Sequence, residues 1–325
     1  MKRVLFFRIS SILIIGVFFF FINSCSKQDT SIVDQEIPTT NEKKATLGKR
    51  LFFDPILSKD GTVSCASCHK PEHGFADDKP VSIGIKGQKG ERNTPTIFNA
   101  FRPKLLFWDG RAMGLEEQAL GPIENPIEMG EDLKNVVNKL NNLPYYKKAF
   151  DEVFGKGEIT KEKLAEVVAE FERTAVSKDS NYDRYKAGDS SALSESARRG
   201  LVLFEGKAMC IACHNGPDFT DYDFHNIGLP ITEDVGRAKI TQKREDIRKF
   251  KTPTLREVAR TAPYFHTGEF ETLEQVIAYY NAGGGQDQYK DPLKEPLNLT
   301  EEEQLDLVEF LKSLTGRQPI IKPPI

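Results

Sequence analysis

The sequence predicts a mainly α-helical protein of two successive halves with long loops. Three observations carry that expectation. Amphipathic segments recur behind capping residues, and clean alternating strand patterns are scarce. One five-residue string occurs twice, as Cys65-Ala66-Ser67-Cys68-His69 and as Cys210-Ile211-Ala212-Cys213-His214. The chain has 325 residues, 39% hydrophobic and 29% charged, the balance of a globular chain long enough for about two domains. Gly 24 and Pro 18 are ordinary values for this length, which excludes collagen-like and low-complexity chains.

The N-terminus is set apart from the fold. Met1-Lys2-Arg3 opens a basic region, Val4 to Ile22 is almost continuously apolar, and Ile22-Asn23-Ser24-Cys25 closes it. Residues 1–24 read as a secretory signal peptide. The apolar residue at −3 and the small residue at −1 resemble a bacterial lipobox, with Cys25 as the lipidated N-terminus. The alternative is an uncleaved membrane anchor, since the run is long enough to span a bilayer. Either way the body is expected to be exported to the periplasm and tethered to the membrane only through this segment. Residues 25–43, rich in Ser, Thr, Asp and Glu, read as a solvated tether. Residues 1–24 hold Lys2, Arg3 and Arg8 and no acid, so the remainder carries a net charge of about −6. With no dense basic patch, nucleic acid is not an expected partner.

Helices follow in order. One is expected from about Gly114 to Leu120. Another starts at the cap Thr160, with Leu164, Val167, Val168, Phe171 and Ala175 on one stripe. Gly188-Asp189-Ser190-Ser191 breaks the chain near the boundary of the halves, and a helix over Ser194 to Phe204 leads into the second Cys string. Thr272 to Gln275 and Thr300 to Glu303 match the capping box. The first of these helices runs to Gly283-Gly284-Gly285 and the second to about Leu314. The halves are 44–188 and 189–325.

Each repeated string is C-x-x-C-H, the attachment sequence of c-type haem. Two thiols three residues apart meet the two vinyl groups of one porphyrin, and the adjacent His reaches the iron. Zinc would want both Cys pairs in one site, which the long gap between them argues against. A redox C-x-x-C needs neither the following His nor a duplicate. The expected fold is therefore two cytochrome c-like modules with two covalently bound haem c. A haem that carries electrons usually has two axial ligands, and one that does chemistry keeps a side open. Candidates for a second ligand are His73, Met113 and Met129 in the first half, and Met209, His225 and His266 in the second.

Further runs carry a family resemblance. Phe107-Trp108-Asp109-Gly110-Arg111, Leu115-Glu116-Glu117-Gln118-Ala119, Gly121-Pro122 and Glu128-Met129 resemble the bacterial di-haem cytochrome c peroxidases and the related MauG proteins. So do Gly90-Glu91-Arg92-Asn93-Thr94-Pro95-Thr96 and Thr261-Ala262-Pro263-Tyr264-Phe265-His266-Thr267-Gly268. The likeness covers roughly residues 44 to 316. It implies that His69 is the proximal ligand of the peroxidatic haem and His214 that of the electron-transfer haem. It implies Glu128 as distal acid–base, Gln118 as a distal hydrogen-bonding amide and Trp108 between the haems. It also implies a calcium ion held by Asn93 and the carbonyls of Thr261 and Pro263.

Two positions depart from the family pattern. Many members have a His in a Ser-Ile-Gly-His string that blocks the peroxidatic haem; here the string is Ser82-Ile83-Gly84-Ile85. Ile85 cannot ligate iron, so this haem is expected to be open when oxidised, unless His73 substitutes. Members also place an axial Met after the Pro-Tyr-Phe-His string, where this chain has Ala278-Tyr279-Tyr280-Asn281. Tyr280 is the expected ligand there, as in MauG proteins, with Tyr279 the alternative. His225 and His266 are left with structural or propionate-adjacent roles.

The resemblance implies a peroxidase that takes hydrogen peroxide and electrons from a small cytochrome c or cupredoxin, with a homodimer by analogy. One rival is a MauG-like enzyme that oxidises residues of a partner protein. The other is a non-catalytic di-haem electron carrier or peroxide sensor.

Overall fold

The computed structural model describes residues 41–324 except 231, 293 and 294. The expected signal peptide, most of the tether and Cys25 lie outside the described residues. None of the described helices is long and apolar enough to cross a membrane.

The first half is a helical module. Helix α1 (Glu42–Phe53) starts at Asn41, whose side chain accepts from the Lys44 amide at 3.1 Å. The tether expected through residue 43 is therefore shorter, because Asn is a good N-cap and Leu47, Leu51 and Phe52 behind it are buried. The first Cys string forms the short α2 (Cys65–Cys68). A two-residue hairpin, β1 (Leu105–Leu106) with β2 (Ala112–Met113), leads into α3 (Gly114–Glu124). Helix α3 outruns its expected end at Leu120. Pro122 removes one ladder bond, but the Asn125 amide still reaches the Gly121 carbonyl at 3.1 Å. Helices α4 (Leu133–Asn142) and α5 (Pro144–Phe154) follow, and then α6 (Lys161–Arg173). Thr160 caps α6 as expected, accepting from the Lys163 amide at 3.3 Å.

The expected break before the second half holds a short helix, α7 (Asn181–Lys186), closed by a capping box of Ser180 and Asp183. The second module contains α8 (Glu195–Glu205), the antiparallel strand pair β3 (Phe224–His225) and β4 (Phe250–Lys251), α9 (Ala238–Thr241) between those strands, α10 (Leu273–Asn281) and α11 (Glu301–Lys312). The boxes expected at Thr272 and Thr300 are both formed.

The modules repeat one packing solution. In the first, α1 crosses α6 at Gly48, where a Cβ would stand 1.7 Å from the Val167 carbonyl oxygen. In the second, α8 crosses α11 at Gly200, where a Cβ would stand 2.0 Å from the Asp306 carbonyl oxygen. Only glycine allows backbones so close. Four residues on, Phe52 packs on Phe171 and Phe204 on Phe310, each pair with centroids 5.0 Å apart. Each such helix delivers the chain to a C-x-x-C-H string. One core joins Leu51, Ile123, Val136, Leu140 and Leu164; the other joins Phe204, Leu273, Ile277, Leu307 and Phe310.

The halves are tied by buried polar contacts. Asn99 donates to Asp218 at 2.7 Å, and Arg102 pairs with the other oxygen of that carboxylate at 3.0 Å. Between the modules and into both runs one continuous cavity of about 580 Å³.

Candidate haem sites

Both C-x-x-C-H strings open onto this cavity, through Cys65, Cys68 and His69 on one side and Cys213 and His214 on the other. None of the four thiols is in a disulfide. The two His rings are held alike. His69 Nδ1 donates to the Phe75 carbonyl at 3.0 Å, and His214 Nδ1 donates to the Phe219 carbonyl at 2.9 Å. Phe75 and Phe219 both have positive φ, 57° and 53°, which turns their carbonyls back to the imidazoles. Fixing Nδ1 as the protonated nitrogen makes Nε2 the metal-facing one. Burial pushes the Cys65 thiol up to about 12, so it stays S–H, the form that adds across a vinyl group. Thiol pairs, oriented imidazoles and the shared cavity fit two haem groups.

On the first side, Glu128, Gln118 and Trp108 all line the cavity with His69. Glu128 follows the Asn125-Pro126 turn after α3. Asn125 Nδ2 donates to Glu128 Oε1 at 2.6 Å, and burial raises the carboxyl above its ordinary range despite that bond. Gln118 comes from α3. Ile85 is buried in the module core beside Met129, and its amide donates to the Glu128 carbonyl at 2.8 Å. His73 turns away from the cavity, with Nε2 donating to the Ala262 carbonyl at 2.8 Å; that bond ties the halves and spends the nitrogen a ligand role would need. Met113 is 72% exposed, while Met129 is buried at the cavity edge.

On the second side, Leu273, Val276 and Tyr280 of α10 line the cavity, at the i, i+3, i+7 positions that share a helix face. Burial pushes the Tyr280 hydroxyl far above the usual phenol range, and the nearby Cys210 and Cys213 add to the push. The alternative, Tyr279, spends its hydroxyl elsewhere: it donates to the Ile227 carbonyl at 3.0 Å and accepts from the Gly285 amide at 2.8 Å. Met209 is 57% exposed. His225 is clasped by Asp291 at 2.6 Å and Asp221 at 2.9 Å, and these hydrogen bonds, with Asp291 foremost, raise its imidazole to about 11.

Trp108 stands where the halves meet. Its Nε1 donates to the Asn93 carbonyl at 2.8 Å, and its ring meets His266 edge-on at 6.2 Å. His266 stacks on Phe250 at 3.5 Å, and burial lowers its imidazole to about 4, so it is neutral. Asn93, Thr261 and Pro263 all line this junction. The Asn93 side-chain amide donates to the Lys79 carbonyl at 3.2 Å and to the Pro80 carbonyl at 3.3 Å.

Sequence reasoning passed over three groups here. Asn125, which orients Glu128, was signalled by its Asn-Pro turn. Arg92 joins Asp109 at 2.7 Å and Asp234 at 2.7 Å, a pairing across the chain with no local sign. Lys251 is half-buried in the cavity wall and has no such sign either.

Comparison with known proteins agrees with this architecture. Residues 42–191 match the family model described as di-haem cytochrome c peroxidase. The chain is 39% identical to the methylamine utilization protein MauG of Methylophilus methylotrophus, over 89% of this chain and 87% of that protein. It is also 39% identical to the cytochrome c551 peroxidase of Nitrosomonas europaea, over 88% and 84%. The crystal structure of a MauG-like protein associated with microbial copper homeostasis superposes with a TM-score of 0.82 at 34% identity, covering 88% of this chain and 93% of that one. With the two haem-type sites, the duplicated modules and these relatives together, the chain belongs to the di-haem cytochrome c peroxidase and MauG family of oxidoreductases.

Proposed function

We propose that the chain is a periplasmic, membrane-tethered di-haem peroxidase, reducing hydrogen peroxide to water with electrons from a small cytochrome c or cupredoxin. The observation that carries this reading is Glu128: a half-buried carboxyl, oriented by Asn125, in the same cavity as His69. Each haem, attached through Cys65 and Cys68 or Cys210 and Cys213 with His69 or His214 on iron, supplies one-electron chemistry when bound. The Glu128 carboxylate takes the proton from one peroxide oxygen and returns it to the other, which leaves as water. Gln118 supplies an amide to hold the peroxide. Two protons from solvent and two electrons from the donor complete the second water. Trp108, between the modules, bridges them for those electrons, and a calcium ion at Asn93 and the carbonyls of Thr261 and Pro263 would brace the junction. Because Ile85 offers no ligand and His73 is spent on Ala262, the first site is expected to be open without prior reduction.

Tyr280 favours a second reading, in which the same chemistry oxidises residues of a partner protein. A phenolate ligand favours the oxidised states of iron over the ferrous state. Steady peroxide consumption by the purified holoprotein with reduced cytochrome c or cupredoxin tests the first reading. No turnover with either donor, together with modification of a partner protein, would overturn it in favour of the second. Export and tethering at Cys25 rest on the N-terminal sequence, and a lipid-sized mass increment on that residue is the expected readout.

A further inference from the structure

Lys251 is a half-buried cation of the cavity wall with no counter-charge in contact among the described residues. Its Nζ donates to the Leu105 carbonyl at 2.9 Å, and among the described residues no carboxylate lies within ion-pair distance of it. The nearest charge felt is Asp109, but that carboxylate already serves Arg92 at 2.7 Å and Arg111 at 3.0 Å. Burial accordingly lowers the ammonium to about 8. A buried, unpaired charge is costly, and two of the three Nζ donors have no partner among the described residues. Such a group marks the place of an anion that the polypeptide itself does not supply.

Position says which anion. Lys251 lines the cavity shared by both C-x-x-C-H strings. Its segment packs on the loop behind His214, with the Thr252 amide on the Asp223 carbonyl at 2.9 Å and Thr254 Oγ1 on the Asp218 carbonyl at 2.7 Å. The Lys251 amide donates to the Trp108 carbonyl at 2.8 Å, so the side chain stands at the junction of the halves. The repeat extends here as well. Lys251-Thr252-Pro253-Thr254 occupies in the second module the place of Asn93-Thr94-Pro95-Thr96 in the first, where Thr96 Oγ1 donates to the Gly74 carbonyl at 2.6 Å. A haem c is fastened at its two vinyl positions by the Cys pair, and its two carboxylates lie on the opposite edge of the ring.

We propose that Lys251 is the counter-ion of a haem propionate at the junction of the two modules. This rests on the reading of the chain as a carrier of two haem c. Lys251 is then a binding residue for the cofactor, and through the propionate it holds up the reduction potential of that haem, since a nearby cation favours the reduced form.

The test compares the holoprotein with Lys251→Met and Lys251→Arg. Intact mass and haem absorbance first establish two haems per wild-type chain; fewer would overturn the cofactor reading and this assignment with it. With two haems present, Lys251→Met is expected to shift the propionate bending bands of the resonance Raman spectrum. It should also lower the midpoint potential of one haem in a redox titration. Lys251→Arg should keep wild-type bands and potentials. Which haem's potential moves identifies the propionate. If Lys251→Met fails to retain haem while Lys251→Arg retains it, the need for a cation is supported in the same way. Unchanged bands and unchanged potentials in Lys251→Met would overturn the proposal, as would loss of haem from both variants.

Discussion

Replacing Glu128 by Gln tests the proposed chemistry most directly, because the exchange keeps the shape and removes only the proton traffic. The contact from Asn125 Nδ2 to Glu128 Oε1 is 2.6 Å, and an amide oxygen at the same place can still accept it. General acid–base groups contribute about 10²–10⁴-fold, which corresponds to roughly 3–5.5 kcal/mol of barrier. Glu128→Gln should therefore slow the reaction with peroxide by that factor while haem content and spectrum stay as in the wild type. The pH profile adds a second readout. Ionised Glu128 is the proton acceptor, so the wild-type rate rises with pH through its carboxyl pKa. Burial lifts that pKa above the ordinary carboxylate value, and the Asn125 bond holds it down. Asn125→Ala should then move the acid limb to higher pH, and Glu128→Gln should abolish it. Stopped-flow mixing of the reduced enzyme with peroxide from about pH 4 to 8 reads both. A rate within about threefold of wild type in Glu128→Gln, or an acid limb that survives it, would refute the role assigned to this carboxyl.

Three other outcomes follow from the same geometry. Tyr280→Phe should change the absorption and EPR signature of the second haem and raise its midpoint potential, whereas an unchanged spectrum and potential would reject Tyr280 as a ligand. Glu172 is buried, its Oε2 has no hydrogen-bond partner among the described residues, and burial raises its carboxyl to about 8. The unfolded chain releases that proton near pH ~4.3, so stability falls as pH rises from there to about 8. Glu172→Gln should remove this loss, gaining on the order of a few kcal/mol at pH 8 and little at pH 4; equal shifts in Tm at both pH values would refute the assignment. Gly200→Val should cost about 1–3 kcal/mol or more by prising α8 from α11, since its Cβ would stand 2.0 Å from the Asp306 carbonyl oxygen and 2.8 Å from Phe310 Cβ. Urea unfolding measures the loss, and an unchanged midpoint would show that the helices can separate without penalty.

What could be read in advance was local. Thr160, Ser194, Thr272 and Thr300 each announce a helix because capping joins a side chain to an amide two or three residues on, and all four cap helices here. The C-x-x-C-H strings are likewise self-contained. Helix α4 had a readable sign that local inspection passes over: Asp132 accepts from the Lys134 amide at 2.7 Å, and Leu133, Val136 and Leu140 make a buried stripe. What could not be read depends on partners far along the chain. Asn99 gives no hint of Asp218, nor Arg92 of Asp234, and His73 next to the first Cys string looks like a ligand until its bond to Ala262 is seen. Lys251 is ordinary in sequence; only the position of its ammonium in the cavity wall, with Asp109 already paired to Arg92 and Arg111, sets it apart.

The same dependence on distant partners changes the meaning of Ile85. Read along the chain, it is a missing ligand. In the fold it is an anchor. Its side chain packs in the core of the first module with Met129 and Leu133, and a Cβ on Gly130 would come within 2.4 Å of its Cδ1, so the side chain lies directly on the Gly130 backbone. The loop around it is pinned to the segment carrying Glu128. The Ile85 amide reaches the Glu128 carbonyl at 2.8 Å, and Gln88 Nε2 reaches the Pro126 carbonyl at 2.9 Å. Gly84 leaves room for this approach, since a Cβ there would stand 2.0 Å from the Ile127 carbonyl oxygen. An imidazole at position 85 in this arrangement would bury polar nitrogens among apolar side chains, at a cost unless they found partners. An aliphatic side chain instead contributes burial energy to keeping the loop closed. The residue that offers no ligand from this loop is thus also one that holds the Glu128 segment in place, so that the proposed open site and the proposed proton-carrying carboxyl depend on the same packing.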